Sequence, residues 1–137
     1  MLASMFLYGG ADALLNPGRL EPAAEAVVDS LSEHVPGVPQ RPGTAIRLNA
    51  ATQIVAGALL ASGRLARPAA LALAVSLIPV TLAGHRFWEI KDDRERAQQR
   101  IHFLKNLSMC GGLLIAAADS GAGPSLAWRA RHRRWTA

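Results

Sequence analysis

Residues 85–115 read HRFWEIKDDRERAQQRIHFLKNLSMCGGLLI, and this stretch decides how the chain folds. Its centre, residues 89–100, is nearly all charged or polar, whereas the residues that follow it are mostly apolar, as are those that precede His85. Such a block is either the solvent-exposed face of a helix in a soluble bundle or a connector between two membrane spans. The distribution of charge along the rest of the chain distinguishes these two interpretations.

Charged residues are bunched instead of being spread along the chain. They make up 18% of the 137 residues, yet residues 66–84 carry one charge, Arg67, and residues 107–118 carry none. A helix in a soluble bundle needs a polar face along its whole length, so its charges recur every few residues. We therefore predict one all-α membrane domain over residues 1–137. A soluble helical bundle is the alternative, because apolar segments shorter than about 17 residues are marginal as spans.

The apolar segments predict a four-helix transmembrane bundle. The predicted helices cover about 2–15, 45–62, 67–88 and 101–119. Between the first two, apolar residues from Leu20 to Val35 repeat at helical spacing, which predicts a short amphipathic helix on the membrane surface or on the bundle. Small residues allow membrane helices to approach closely. The candidates for this packing role are Gly9, Gly10, Gly57, Ser108 and Gly112.

The net charge of +5 is concentrated near the end of the chain, in a basic tail over residues 124–137. Beside an apolar span, such a cluster indicates retention on the cytoplasmic side. No nucleic-acid-binding motif accompanies it, so lipid and not nucleic acid is the expected partner. An even number of spans then places both termini in the cytoplasm. The positive charge of Arg64, between the second and third predicted helices, favours the same orientation. The basic residues of the 89–101 connector would lie outside, against the positive-inside rule.

Three stretches carry a resemblance to a known family: LASMFLYGGADALLNP (2–17), IRLNAATQIVAGALLASGRLARPAALALAVSLIPVTLAGHRFWE (46–89) and HFLKNLSMCGGLLI (102–115). With these stretches the chain resembles the DoxX family of small four-helix integral membrane proteins, in its actinobacterial type. The resemblance implies a plasma-membrane protein. Actinobacterial members look like partners of superoxide dismutase and a sulfurtransferase in membrane-associated redox assemblies. Archaeal relatives are similar to membrane subunits of a thiosulfate:quinone oxidoreductase.

Polar residues at the end of the third predicted helix are the first candidates for chemistry. His85 and Glu89 lie one helical turn apart, so they can bond on a single face. A His–carboxylate pair at the membrane edge can handle the protons of quinone reduction. The alternative is a polar helix end at which Phe87 and Trp88 anchor the chain at the interface.

The fourth and first predicted helices supply the other candidates. Asn106 shares a face with His102 and can bind a quinone carbonyl or bridge two helices. Lys105 can donate beside it or extend to the headgroups as an interface anchor. Asp12 is an acid within an apolar segment, which by default suggests function. It can instead form a structural pair with Arg47, Arg86 or His85.

Several kinds of catalytic centre have no counterpart in the sequence. Cys110 is the only cysteine, so a Cys-x-x-Cys pair is excluded, and the four histidines are too dispersed to indicate a metal site. There is no nucleotide-binding loop. We therefore predict a membrane subunit or anchor of a redox or oxidative-stress assembly, with no cofactor and no catalytic centre of its own. The alternative is a quinone-dependent oxidoreductase subunit whose site combines His85, Glu89, Asn106 and Asp12.

Overall fold

A computed structural model of the chain describes residues 1–119, so the predicted basic tail, 124–137, lies outside the described residues. Within that range the chain forms helices and no strand, which confirms the predicted all-α class. Two short 3-10 turns, Pro17–Arg19 and Phe87–Glu89, join some of the longer elements. The five α-helices are α1 (Leu2–Leu15), α2 (Glu21–His34), α3 (Pro42–Ala61), α4 (Ala66–Gly84) and α5 (Asp93–Ala118).

Three of these elements are long and apolar enough to cross a membrane: α3, α4 with the turn that follows it, and α5. The helix α1 is apolar but has only 14 residues. At 1.5 Å per residue it is about 21 Å long, less than the roughly 30 Å of a hydrocarbon core. Many large apolar side chains remain exposed on the outer faces, among them Val55 and Ile115. Large exposed apolar surfaces of this kind are suited to contact with lipid.

Neighbouring membrane-type helices pack in antiparallel pairs, with α3 against α1, α4 against α3, and α5 against α4. Gly10 of α1 lies beside Ala50 and Ile54, whereas the carbonyl of Ala3 lies near Gly57, so α1 and α3 run in opposite directions. The core is centred on α4, where Leu73 is fully buried, as is Leu113 of α5.

The helix α2 occupies the place of the predicted amphipathic helix. Its buried residues Ala24, Val27 and Val28 face α3 and α4, so it packs on the bundle. Pro22 lies in its first turn, where a missing N–H has no cost. Its exposed side carries a row of acids at four-residue spacing: Glu21, Glu25, Asp29 and Glu33.

The helix α5 begins earlier than predicted, at Asp93 instead of about residue 101. The side chain of Asp92 accepts a hydrogen bond from the backbone N–H of Glu95 at 2.9 Å, which caps the helix. Arg96 also donates to the carbonyls of Ile90 and Lys91. The second half of the predicted connector therefore forms the first two turns of α5. The preceding helix, predicted to reach residue 88, ends at Gly84 and is followed by the 3-10 turn.

Candidate functional site

Polar side chains of α4 and α5 meet where the two helices approach the charged connector. Thr81 lies in the last turn of α4 and His85 caps that helix one turn later, whereas Gln99, His102 and Asn106 lie at spacings of three and four on α5. Each set therefore lies on one face of its helix. Contacts cross between the two sets. We call these five residues the polar seam.

The outer level of the polar seam is a pair of stacked imidazoles. The ring centres of His85 and His102 are 5.2 Å apart, and their planes are inclined by 21°. Nδ1 of His85 lies 2.6 Å from Oε1 of Gln99. Because an amide oxygen only accepts hydrogen bonds, Nδ1 carries the hydrogen. When His85 is neutral, its Nε2 is therefore the nitrogen with a free lone pair.

The inner level of the polar seam is a bridge between the helices. Nδ2 of Asn106 donates to Oγ1 of Thr81 at 3.1 Å, and that hydroxyl donates to the carbonyl of Leu77 at 2.7 Å. Asn106 is 4% exposed. A buried amide needs such a partner, because an unpaired polar group in an apolar interior costs free energy. This geometry is the one expected of an asparagine that bridges two helices.

An aromatic triad lies beside the outer level, formed by Phe87, Trp88 and Phe103. The three rings contact each other edge to face, with centres 5.2 to 6.1 Å apart. Such pairs stabilise by about 0.5–1.5 kcal/mol beyond the area that they bury. Trp88 remains half exposed. The triad fixes the turn after α4 against α5 at Phe103, and it places an amphipathic indole at the edge of the apolar region.

Glu89 does not join His85, although their spacing suggested a pair. The helix ends at Gly84, so the i,i+4 geometry of a helix does not extend to Glu89. Its Oε1 lies 3.5 Å from a guanidinium nitrogen of Arg86, and its side chain is exposed. Lys105 is also exposed, in keeping with a position near the headgroups.

Asp12 also lies outside the polar seam. Its carboxylate pairs with the guanidinium of Arg19 and accepts a hydrogen bond from Nδ2 of Asn16 at 3.1 Å. Neither Arg47 nor Arg86 is its partner. The 3-10 turn after α1 brings Arg19 back to the helix end, so Asp12 fixes that turn. The four residues predicted to form a quinone site therefore do not lie together, since His85 and Asn106 belong to the polar seam and Glu89 and Asp12 do not.

The small residues predicted for helix packing divide into two groups. A Cβ atom on Gly10 would lie 3.0 Å from the carbonyl oxygen of Ala50, so α1 and α3 approach closely there. Gly57 and Gly112 also lie close to side chains of α1, whereas Gly9 faces open space. Ser108 is exposed, and its hydroxyl donates to the carbonyl of Leu104 on its own helix.

Sequence reasoning missed two members of the polar seam, Thr81 and Gln99. Thr81 lies four residues before His85, and Gln99 lies three residues before His102, so each could be placed on the same face as its histidine. Spacing within one helix, however, does not identify the partner across the interface. Within residues 1–119, no three His, Cys, Asp or Glu side chains are grouped so that they could hold a metal ion.

A comparison with protein families identifies the family of this chain. The family model for DoxX matches residues 1–86. The chain belongs to the DoxX family. No curated protein and no solved structure matches it. In this DoxX-family chain the match covers α1 to α4, including Thr81 and His85, so the α4 side of the polar seam lies within the family region and α5 lies beyond it.

Proposed function

We propose that this DoxX-family chain is a multi-pass plasma-membrane subunit that anchors soluble redox enzymes and has no catalytic centre of its own. The observation that supports this function is the charged first part of α5. Every residue from 91 to 98 is exposed. The hydrogen bonds of Asp92 and Arg96 hold it in place. A rigid, charged surface next to the membrane is suited to docking a soluble partner.

The polar groups within the bundle support the same proposal. Asn106 and Thr81 bond to each other, and no buried side-chain nitrogen or oxygen of the described residues lacks a partner. Polar side chains used in this way hold helices together. By family resemblance, the proposed partners are a superoxide dismutase and a sulfurtransferase in an oxidative-stress assembly of the actinobacterial type.

For the topology we propose four membrane helices, with α1 as the fourth, and cytoplasmic termini. The antiparallel packing brings the start of α1, the start of α4 and the end of α5 to one end of the bundle, where Arg67 donates to the carbonyl of Ala117 at 3.0 Å. Arg64 and Arg67 lie at that end, and the tail arginines follow α5 in sequence. The basic residues of the connector lie at the other end, against the positive-inside rule, in which acids count little.

Cysteine labelling tests this topology. Glu95→Cys in a Cys110→Ser background provides a single thiol at the exposed first part of α5. We expect an impermeant maleimide to label it in intact cells. Protection in intact cells, followed by labelling after the membrane is opened, would reverse the orientation.

Co-purification tests the anchor function. The double variant Arg94→Gln/Glu95→Gln removes two exposed charges from the docking surface without changing the net charge. We expect the recovery of superoxide dismutase and sulfurtransferase from mild-detergent extracts to fall in this variant, and also at high salt, because exposed charges are screened. The control is Arg64→Gln, which neutralises an exposed charge at the opposite end and should leave recovery unchanged. Absence of both enzymes from wild-type extracts would refute the anchor function.

The polar seam favours a second candidate function, a quinone-dependent oxidoreductase subunit. Two imidazoles, a buried amide and an aromatic triad lie together at the end of the apolar region, and quinone reduction needs hydrogen-bond donors and proton carriers. Of the residues first assigned to such a site, His85 and Asn106 are well placed, and Glu89 and Asp12 are not.

Quinone extraction distinguishes the two functions. The protein is purified in mild detergent and its bound quinone is measured in Asn106→Ala and Glu89→Gln. A quinone at the polar seam predicts a loss in Asn106→Ala and little change in Glu89→Gln, whose carboxylate is exposed. Wild-type protein without quinone would exclude this candidate.

A further inference from the structure

We propose that the stacked His85–His102 pair is a proton-sensitive contact, which joins α4 to α5 while its imidazoles are neutral and separates when both are protonated. The proposal concerns the outer level of the polar seam only. It is independent of whether the protein anchors an enzyme or binds a quinone.

The two imidazoles have different surroundings. His85 directly follows Gly84, the last residue of α4. Its Nδ1 donates to Gln99, so a proton can bind at Nε2 without disturbing this bond. His102 lies on α5 between Arg100 and Lys105, and it has no hydrogen-bond acceptor among the described residues. When both imidazoles are protonated, the stack therefore holds two positive charges.

No described carboxylate compensates for that second charge. On the turn after α4, Glu89 is paired with Arg86, whose Nε donates to the carbonyl of Leu82. On α5, the acids nearest in sequence belong to the exposed first turns, where Asp93 pairs with Arg96. The helix α2 also packs on α4, but its acids are on its exposed side. Among residues 1–119, neither imidazole forms an ion pair.

Two cationic rings with centres 5.2 Å apart and no counter-ion repel each other. His85 leads directly into the turn that carries Phe87 and Trp88, so separation of the rings moves the aromatic triad. The inner level has no titratable group, since Thr81 and Asn106 form it, and it stays closed. Acidification therefore loosens one end of the α4–α5 contact and increases the exposure of Trp88.

Tryptophan emission of the full-length protein in neutral-lipid nanodiscs tests the proposal. Trp128→Phe and Trp135→Phe leave Trp88 as the only tryptophan. Between about pH 8 and pH 5, the range in which imidazoles titrate, we expect the emission to shift to longer wavelength and acrylamide quenching to rise. Emission that stays constant over this range would overturn the proposal.

Histidine variants in the same background identify the groups responsible. His85→Gln and His102→Gln should each abolish the shift, because one cation alone has no charged neighbour in the stack. Both variants are needed, because His85→Gln also removes the hydrogen bond to Gln99, whereas His102→Gln leaves that bond intact. His34→Gln is the matched control, because His34 is an exposed imidazole on α2, and it should retain the full shift. A shift that persists in both stack variants would assign it to other groups and refute the proposal.

Discussion

The contact between α1 and α3 and the contact between α4 and α5 are made in opposite ways. The first depends on an absent side chain, since Gly10 lets α1 approach the backbone of α3. The second depends on side chains that are present, the five residues of the polar seam. Added atoms should therefore disrupt the first contact, and removed atoms should weaken the second.

The largest effect is expected at Gly10. In Gly10→Ala the new methyl group would lie 3.0 Å from the carbonyl oxygen of Ala50 and 2.9 Å from Cγ1 of Ile54, so α1 must shift. We expect a loss of about 1–3 kcal/mol, as for other overpacked interiors. Thermal unfolding in detergent measures it. Gly9→Ala is the matched control, because its methyl group would meet open space. Equal stability of the two variants would show that close backbone approach does not govern this contact.

A smaller effect is expected at the inner level of the polar seam. Asn106→Ala removes the bond to Thr81, and polar bonds between membrane helices contribute about 0.6 kcal/mol on average, up to about 1.7 kcal/mol. A double-mutant cycle with Thr81→Val, measured by unfolding in denaturing detergent, isolates this bond. Ser108→Ala is the control, since its hydroxyl bonds only within its own helix. A coupling energy of zero would mean that this bond adds nothing to the packing of α4 against α5.

The smallest effect is expected at the end of α1, outside both contacts. Asp12→Asn weakens the ion pair with Arg19, which is partly exposed and is expected to contribute about 0.2–1 kcal/mol. Thermal unfolding at low and high salt should show a difference from wild type that shrinks as salt rises. Asp29→Asn, on the exposed side of α2, should show no such salt dependence. A salt-independent loss at Asp12 would point instead to a direct role in packing against α3.

Sequence patterns predicted the α-helical class and the family. The class follows from the bunching of charges between long apolar segments, and the family follows from three stretches that resemble its members. They failed where a local rule was extended too far. The spacing of His85 and Glu89 assumed a continuous helix, but α4 ends at Gly84. The start of α5 was placed too late, although Asp92 followed by Glu95 is a recognisable capping pattern.

The amino-acid sequence by itself determined that this chain is an all-α member of the DoxX family with apolar helices separated by charged segments, because the segregation of apolar and charged residues is a property of their order along the chain. Only the tertiary structure decided which polar residues meet. Asp12 faces Arg19, Glu89 faces Arg86, and His85 stacks on His102. Spacing rules relate residues within one helix, whereas contacts between helices depend on where each helix ends and on how the helices pack against each other.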